Sequence, residues 1–515
     1  MTDPPDCDVL VVGAGPTGVT LALLLAAEGV RVIAADKAAD IHPLPRAAHV
    51  DQEIMRVFQA LGVADEVMAT SRAAARYDFL TAAGEVLMRF DTGAARTPSG
   101  WPAANMIHQP SVEAALRRRL GDFANAELWT DRELVSLSWD AEGAVTGWST
   151  PDGTRRVRSR FVVGCDGARS LVRDLCDAGL EDLGFDEPWL VIDTLVHDAS
   201  RLPQVNLQVC DPRRPTTCVL MGAGRHRWEF MLKPGETPEA VAEDAFIADL
   251  LAPWNVEGAV TLERKAVYRF HALVARRWRR GPVLLAGDAA HQMPPFAGQG
   301  LCSGVRDAAN LAWKLASILR GEASEALLDT YQREREPHVR AIIDLAMTMG
   351  RTVCITDPDA AAARDRAMLD ARAAGAVAGG AMAFPPIEAG AILAGSPAAG
   401  TLFPQPWAGS GGSAARLDDV LGPGPWLIRR DAGDALAPVP TFTLADPRLP
   451  PFAGDLSAWL ARHDAPAVLV RPDRVVFGTG AAQVLVEAYQ AAIGHPGDQH
   501  PPALPGQRRS CTAVK

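Results

Sequence analysis

The chain has 515 residues, 48% apolar and 22% charged, enough to bury a large core and to fold as two or three domains. A formal charge of −11 argues against a nucleic-acid partner or an anionic membrane, either of which would call for a basic face. Eight cysteines, at 7, 165, 176, 210, 218, 302, 354 and 511, stand singly with no Cys-x-x-Cys or paired ligand spacing, so we expect a reducing, cytoplasmic setting and no metal.

The first apolar run, Val9 to Ile33, follows an acidic start and is broken by Gly13, Gly15, Pro16 and Gly18, so it reads as neither a signal peptide nor a membrane span. Asp8 to Val12 reads as a buried parallel strand, Gly13 to Gly18 as a turn, Val19 to Ala27 as a helix and Val30 to Ala34 as the next strand, closed by Asp36 and Lys37. This is the Gly-x-Gly-x-x-Gly dinucleotide fingerprint in its required context: the glycines admit a pyrophosphate to the helix start, and the acid binds a ribose diol. By itself it does not choose between FAD and NAD.

Leu44 to Asp51 is a proline-containing loop that carries Arg46. Ile107 to Leu116 opens a helix, with Ser111 as its cap and Pro110 just before it. Phe161 to Val163 is a third strand, turning through Asp166 and Gly167 toward Arg173. From Leu183 to Arg280 short alternating runs predict a mixed, largely antiparallel sheet, to which Tyr77 to Trp101 contributes. In that sheet Trp228, Phe230 and Leu232 share one face, which reads either as a wall for a planar substrate or, for any one of these residues, as part of a hydrophobic core stripe.

Pro282 to Ala286 is a buried strand, Gly287 to Gly300 a proline-stiffened loop, and Ala308 to Leu319 a helix. In that loop Asp288 can accept from a ribitol or ribose hydroxyl, while Gly298, Gln299 and Gly300 turn backbone amides toward a developing anion. A second ribitol-binding acid so far downstream decides for FAD. Beyond it, Tyr331 to Met349 continues helical, and Asp357-Pro358 starts an alanine-rich helix over 360–374. A Gly, Ala and Pro-rich linker and a smaller α/β unit follow.

Gly287-Asp288-Ala289-Ala290-His291, then Pro294-Pro295-Phe296-x-Gly298-Gln299-Gly300 and Asp307-Ala308-x-Asn310-Leu311-x-Trp313-Lys314, resemble the flavin signature of single-component (class A) FAD-dependent aromatic hydroxylases. The similarity is to the 3-(3-hydroxyphenyl)propionate hydroxylase-like and phenol hydroxylase branch, and Asp166-Gly167-x-x-Ser170-x-Val172-Arg173 matches that family's Asp-Gly motif. The resemblance implies an α/β fold with a Rossmann-like FAD-binding domain (1–76, 102–182 and 281–374) and an inserted mixed β-sheet substrate domain (77–101 and 183–280). It also implies a linker over 375–413, a thioredoxin-like C-terminal domain over 414–494 and a disordered tail over 495–515. With no cysteine between 354 and 511, that domain lacks the redox chemistry of its fold.

By the same resemblance, Arg46 lies beside the flavin, Gln109 reaches its side of the site, and Asp166, Gly167 and Arg173 serve the pyrophosphate and the passing NAD(P)H. Gly287, Pro295 and Leu301 belong to the flavin seat, with Pro295 also in the catalytic set. The implied reaction uses non-covalent FAD, NADH or NADPH and O₂, forms a C4a-hydroperoxide and hydroxylates a small phenol or amino-arene, in a protein expected to be a homodimer. Tyr268 is the candidate to contact the substrate hydroxyl. The alternatives are a tailoring oxygenase of a polycyclic metabolite, a flavin halogenase or reductase, and a non-catalytic flavin sensor; the chain has no Trp-x-Trp-x-Ile-Pro string for halogenation.

Overall fold

The computed structural model describes residues 5–93, 97–151, 153–375, 384–409, 415–431, 436–494 and 510–512. Strand β1 (Cys7–Val12) leads into helix α1 (Pro16–Ala27) and returns as β2 (Val32–Ala35). Val9, Leu10 and Val11 are wholly buried, as expected of a strand covered on both faces. The turn between β1 and α1 requires glycine twice. Gly13 has φ +97°, and a Cβ on Gly18 would sit 1.9 Å from the Gly13 carbonyl oxygen.

The chain then supplies β3 (Gly153–Gly164), β4 (Leu180–Val196), β5 (Thr216–Leu220), β6 (Arg225–Met231), β7 (Val260–Ala275) and β8 (Val283–Leu285). Helices α2 (Gly300–Leu319) and α3 (Asp329–Val353) follow. In the first sheet β8, β3, β1, β2 and Ala126–Trp129 lie side by side, all parallel. Helices α1 and α2 pack together beside it.

The second sheet runs in the order His291–Gln292, β7, β4, β6, β5, Asn206–Val209, Arg76–Leu80, Val86–Asp91. Its pairs are antiparallel except Asn206–Val209 with Arg76–Leu80. The antiparallel register sets Leu190 beside Phe230 and Ile192 beside Trp228, and this apolar face packs on Val241 and Ile247 in a core of its own. The opposite face, carrying Asp193, Arg227 and Glu229, looks toward the first sheet. Strand His291–Gln292 pairs with β7 directly after the β8 loop, so that loop bridges the two sheets.

A smaller four-stranded sheet, in the order Thr441–Thr443, Trp426–Arg429, Ala467–Val470, Val476–Gly480, carries helices Ala453–Arg462 and Ala482–Ile493. Residues 384–409, expected as part of a linker, are packed: the Leu393 amide donates to Phe477 O (2.7 Å) and Gln405 Nε2 to Ser99 O (2.6 Å). Of the tail expected to be disordered, Ser510–Thr512 adds a strand to the edge of the first sheet at Ser136–Ser138; 495–509 and 513–515 lie outside the described residues. The helix expected from Ser111 begins at Gln109, because Pro110 occupies its first turn, where no backbone donor is needed. Among the described residues no helix is long and apolar enough to cross a membrane.

One buried ionic cluster fastens the small unit to helices α2 and α3. Glu334 on α3 accepts from the Asn310 side chain (2.6 Å) and the Ala391 amide (2.8 Å), and pairs with Lys314 (2.9 Å) and Arg471 (2.8 Å), which also holds Asp473. Burial alone would raise the Glu334 carboxyl; Arg471 and Lys314 outweigh it and hold the group far below the usual carboxylate range. A depressed carboxylate contributes stability that is present above its unfolded pKa and lost as pH falls. Replacing Arg471 by Met leaves Asp473 without its cation and Glu334 with Lys314 alone, and is expected to cost about 3–5 kcal/mol. Thermal unfolding should show that loss at neutral pH, with the gap from wild type narrowing below about pH 4 as the acids take up protons.

Candidate active site between the two sheets

A cavity of about 570 Å³ lies between the two sheets. At one end Gly15, Pro16 and Thr17 open α1; at the other Pro295, Gly298, Gln299, Gly300 and Leu301 lead into α2. Neither helix start is capped by a side chain, so both present unpaired backbone N–H groups and the positive end of a helix dipole to the same space. Between them stands Asp288, whose carboxylate accepts no hydrogen bond from any described residue. It lines the cavity, and the enclosing protein pushes its carboxyl up, against the pull of His291 and Arg46.

This donor and acceptor set fits FAD. The α1 start suits the pyrophosphate, the unpartnered Asp288 carboxylate suits ribityl hydroxyls, and the α2 start suits an anion on the flavin edge. The loop expected beside the flavin is built from both sheets. Gln109 Oε1 accepts from the amides of Arg46 (3.0 Å) and Ala47 (2.7 Å), while Arg227 donates to the carbonyls of Arg46 (2.9 Å) and Pro45 (2.7 Å). Arg264 reaches the same Pro45 carbonyl. Fully buried Asp193 holds Arg227 at 2.6 Å and Arg264 at 3.2 Å, and Glu229, 3.6 Å from Arg227, is the second acid beside the two arginines. Arg46 itself stays exposed, lining the cavity.

Gly167 also lines the cavity, whereas other expected contacts build its frame. Asp36 accepts from the Ala14 and Ala38 amides (2.8 and 2.9 Å), and Lys37 beside it is exposed. Asp166 accepts from the Val172 amide (3.0 Å) and the Ser170 hydroxyl. Arg173 is buried, donating to the carbonyls of Ala168 (3.0 Å) and Ala289 (3.2 Å). It therefore ties the Asp-Gly turn to the Asp288 loop instead of entering the cavity. Gly287 packs against Thr17, bringing the two loops together.

The expected substrate residues need correction. Trp228 and Phe230 face away from the cavity, into the apolar core with Ile247, because period-2 alternation gives the cavity to their neighbours Arg227 and Glu229. Tyr268 shares the cavity-side face of the sheet but does not line the cavity; its hydroxyl accepts from Arg264 Nη2. The cavity is instead lined by Tyr77, Phe90, Met106, Thr217, Glu229 and Met293. The signal that could have found Glu229 was the polar parity of β6, where Arg225, Arg227 and Glu229 alternate with Trp228 and Phe230 in a strand buried on both faces.

The two-sheet arrangement with paired helix starts defines an FAD-binding flavoenzyme. A family model described as "FAD binding domain" matches residues 6–346, and the chain belongs to that family, among its aromatic hydroxylases. It is 36% identical to a "Probable NADH-specific resorcinol 4-hydroxylase" of Rhodococcus jostii, over 96% of this chain and 97% of that protein. It is 35% identical to a "3-(3-hydroxy-phenyl)propionate/3-hydroxycinnamic acid hydroxylase" of Mycolicibacterium smegmatis, over 96% and 94%. The solved structure of the flavin-dependent monooxygenase PieE with FAD and substrate shares the fold, with a TM-score of 0.81 at 24% identity over 96% of this chain and 100% of that one.

Asp288→Ala removes an acceptor whose hydrogen bonds carry charge, a loss of about 1.5–3 kcal/mol, or roughly tenfold to hundredfold in FAD retention. Flavin absorbance of the protein after ultrafiltration, with circular dichroism as the check on folding, measures it.

Proposed function

We infer that this enzyme uses NADH to hydroxylate a small phenol. The carrying observation is the continuity of the cavity, which runs from the flavin seat into a chamber walled by Phe90, Met106 and Met293, with a buried carboxylate at Glu229. When bound, FAD supplies the transfer of electrons from the nicotinamide and the activation of O₂. The chain's own part is positional and electrostatic. The α2 start favours negative charge at the flavin edge, and Pro295, whose carbonyl accepts from the Gly298 amide (2.8 Å), fixes the turn beside it. The sheet above, closed by β4, β6 and β7, keeps bulk water from the reacting ring.

NADH is favoured over NADPH by the full-length relative named as NADH-specific. We further infer a cytoplasmic homodimer whose domain limits follow the boundaries given above except at the packed segment 384–409 and the strand Ser510–Thr512, and in which Asp36, Asp166 and Arg173 support cofactor binding through the loops they organise. Purified holoenzyme, supplied with resorcinol or 3-(3-hydroxyphenyl)propionate, is expected to oxidise NADH faster than NADPH and to add one oxygen atom to the ring. Chromatography with mass detection reads the product. NADH consumption that no phenol accelerates, with only hydrogen peroxide formed, would overturn the reading.

A further inference from the structure

Glu229 stands at the middle of β6, 7% exposed, on the cavity wall. Its oxygens accept no hydrogen bond from any described residue, and the nearest cationic nitrogen, Arg227 Nη1, is 3.6 Å away. That guanidinium is already committed to Asp193 and to the carbonyls of Pro45 and Arg46. The polar neighbours are committed too. The hydroxyls of Tyr77 and Thr217 both donate to Gln208 Oε1, at 3.0 and 2.8 Å. Burial pushes the Glu229 carboxyl up, and Arg227 pulls it back. Its ion pair with Arg227 offsets part of the cost of burying the charge, while its hydrogen-bond acceptor sites stay open to a donor that arrives from outside the chain.

The walls say what kind of donor. Phe90, Met106, Val219 and Met293 offer flat and polarisable apolar surface, which suits an aromatic ring edged with a hydroxyl. Tyr268, the other oxygen considered for this task, has Arg264 on its hydroxyl.

We propose that Glu229 receives the ring hydroxyl of a phenol substrate, accepting its hydrogen bond on binding and its proton as the ring reacts. The proposal rests on the hydroxylase reading above. In that step the substrate O–H bond breaks, an O–H bond forms on Glu229, and the electron pair stays on the ring oxygen as a phenolate. The neutral acid returns the proton to that oxygen once the product has formed, so no proton is gained or lost by the pair. An electron-rich ring is what an electrophilic oxygen donor needs, and the carboxylate provides it without a formal base elsewhere in the chamber.

The test uses holoenzyme with resorcinol and a series of ring-fluorinated resorcinols of increasing acidity at one fixed pH. Glu229→Gln is isosteric and is expected to retain FAD, yet to lose product formation from resorcinol by about 10²- to 10⁴-fold. That deficit should shrink along the series, because the more acidic hydroxyls ionise unaided, and Glu229→Asp should fall between the two. Product formation by E229Q near the wild-type rate, a deficit of constant size across the series, or loss of FAD from both variants would each overturn the role of Glu229. Wild-type enzyme that hydroxylates none of these rings would instead overturn the parent reading, and this proposal with it.

Discussion

The carboxylate of Asp307 is the constraint on which the flavin seat depends. It is fully buried on α2, where an unpaired charge would not be tolerated, and it takes three donors from three places. The Gly287 amide donates at 3.0 Å, His291 Nε2 at 2.6 Å and Arg335 Nε, from α3, at 2.8 Å. Burial would raise this carboxyl, but His291 and Arg335 hold it below the ordinary range, so it stays ionised and binding. Because Gly287 and His291 bracket Asp288, the three bonds set the height of that acid relative to the start of α2. The Asp288 loop and the start of α2 are thus kept in one geometry by a residue that does not itself line the cavity.

A second buried acid does the equivalent work across the sheets. Asp193 pairs with both Arg227 and Arg264, and both arginines also donate to the backbone of the Arg46 loop. That loop is held from the other side by Gln109. The substrate sheet therefore does more than roof the cavity, since it shapes a loop that belongs to the cofactor side. Glu229 is two residues from Arg227 on the same face, so one strand carries both the cavity carboxylate and the loop anchor.

Much of the cofactor side was legible in the sequence because its chemistry is local. Gly13 to Gly18 and Pro294 to Gly300 each concentrate a turn, a helix start and a polar group within a few residues, and the structure brings Gly15, Thr17, Asp288 and Gly298 to one cavity. The substrate side was harder for a physical reason. Alternation along β6 says that Trp228 and Phe230 share a face, but not which face meets the flavin. The aromatic rings went to the core under the Asp244–Leu251 helix, and the charged parity went to the cavity. Glu334 and Arg471 lie 137 residues apart, and no local pattern announces a pair of that kind.

The parallel register of the first sheet also governs when the protein can be made whole. Leu10 pairs with Val162, and Val162 with Val283, so strands that touch in the finished sheet leave the ribosome more than a hundred residues apart. Contacts of such long sequence separation close late, because each must first overcome the entropy of a large loop. The α1 start is synthesised early, but the acid at 288 and the start of α2 do not exist until more than half the chain has emerged. A nascent chain therefore offers FAD only half a binding site, and the cofactor can act as a ligand that stabilises the domain only after α2 has been threaded into place.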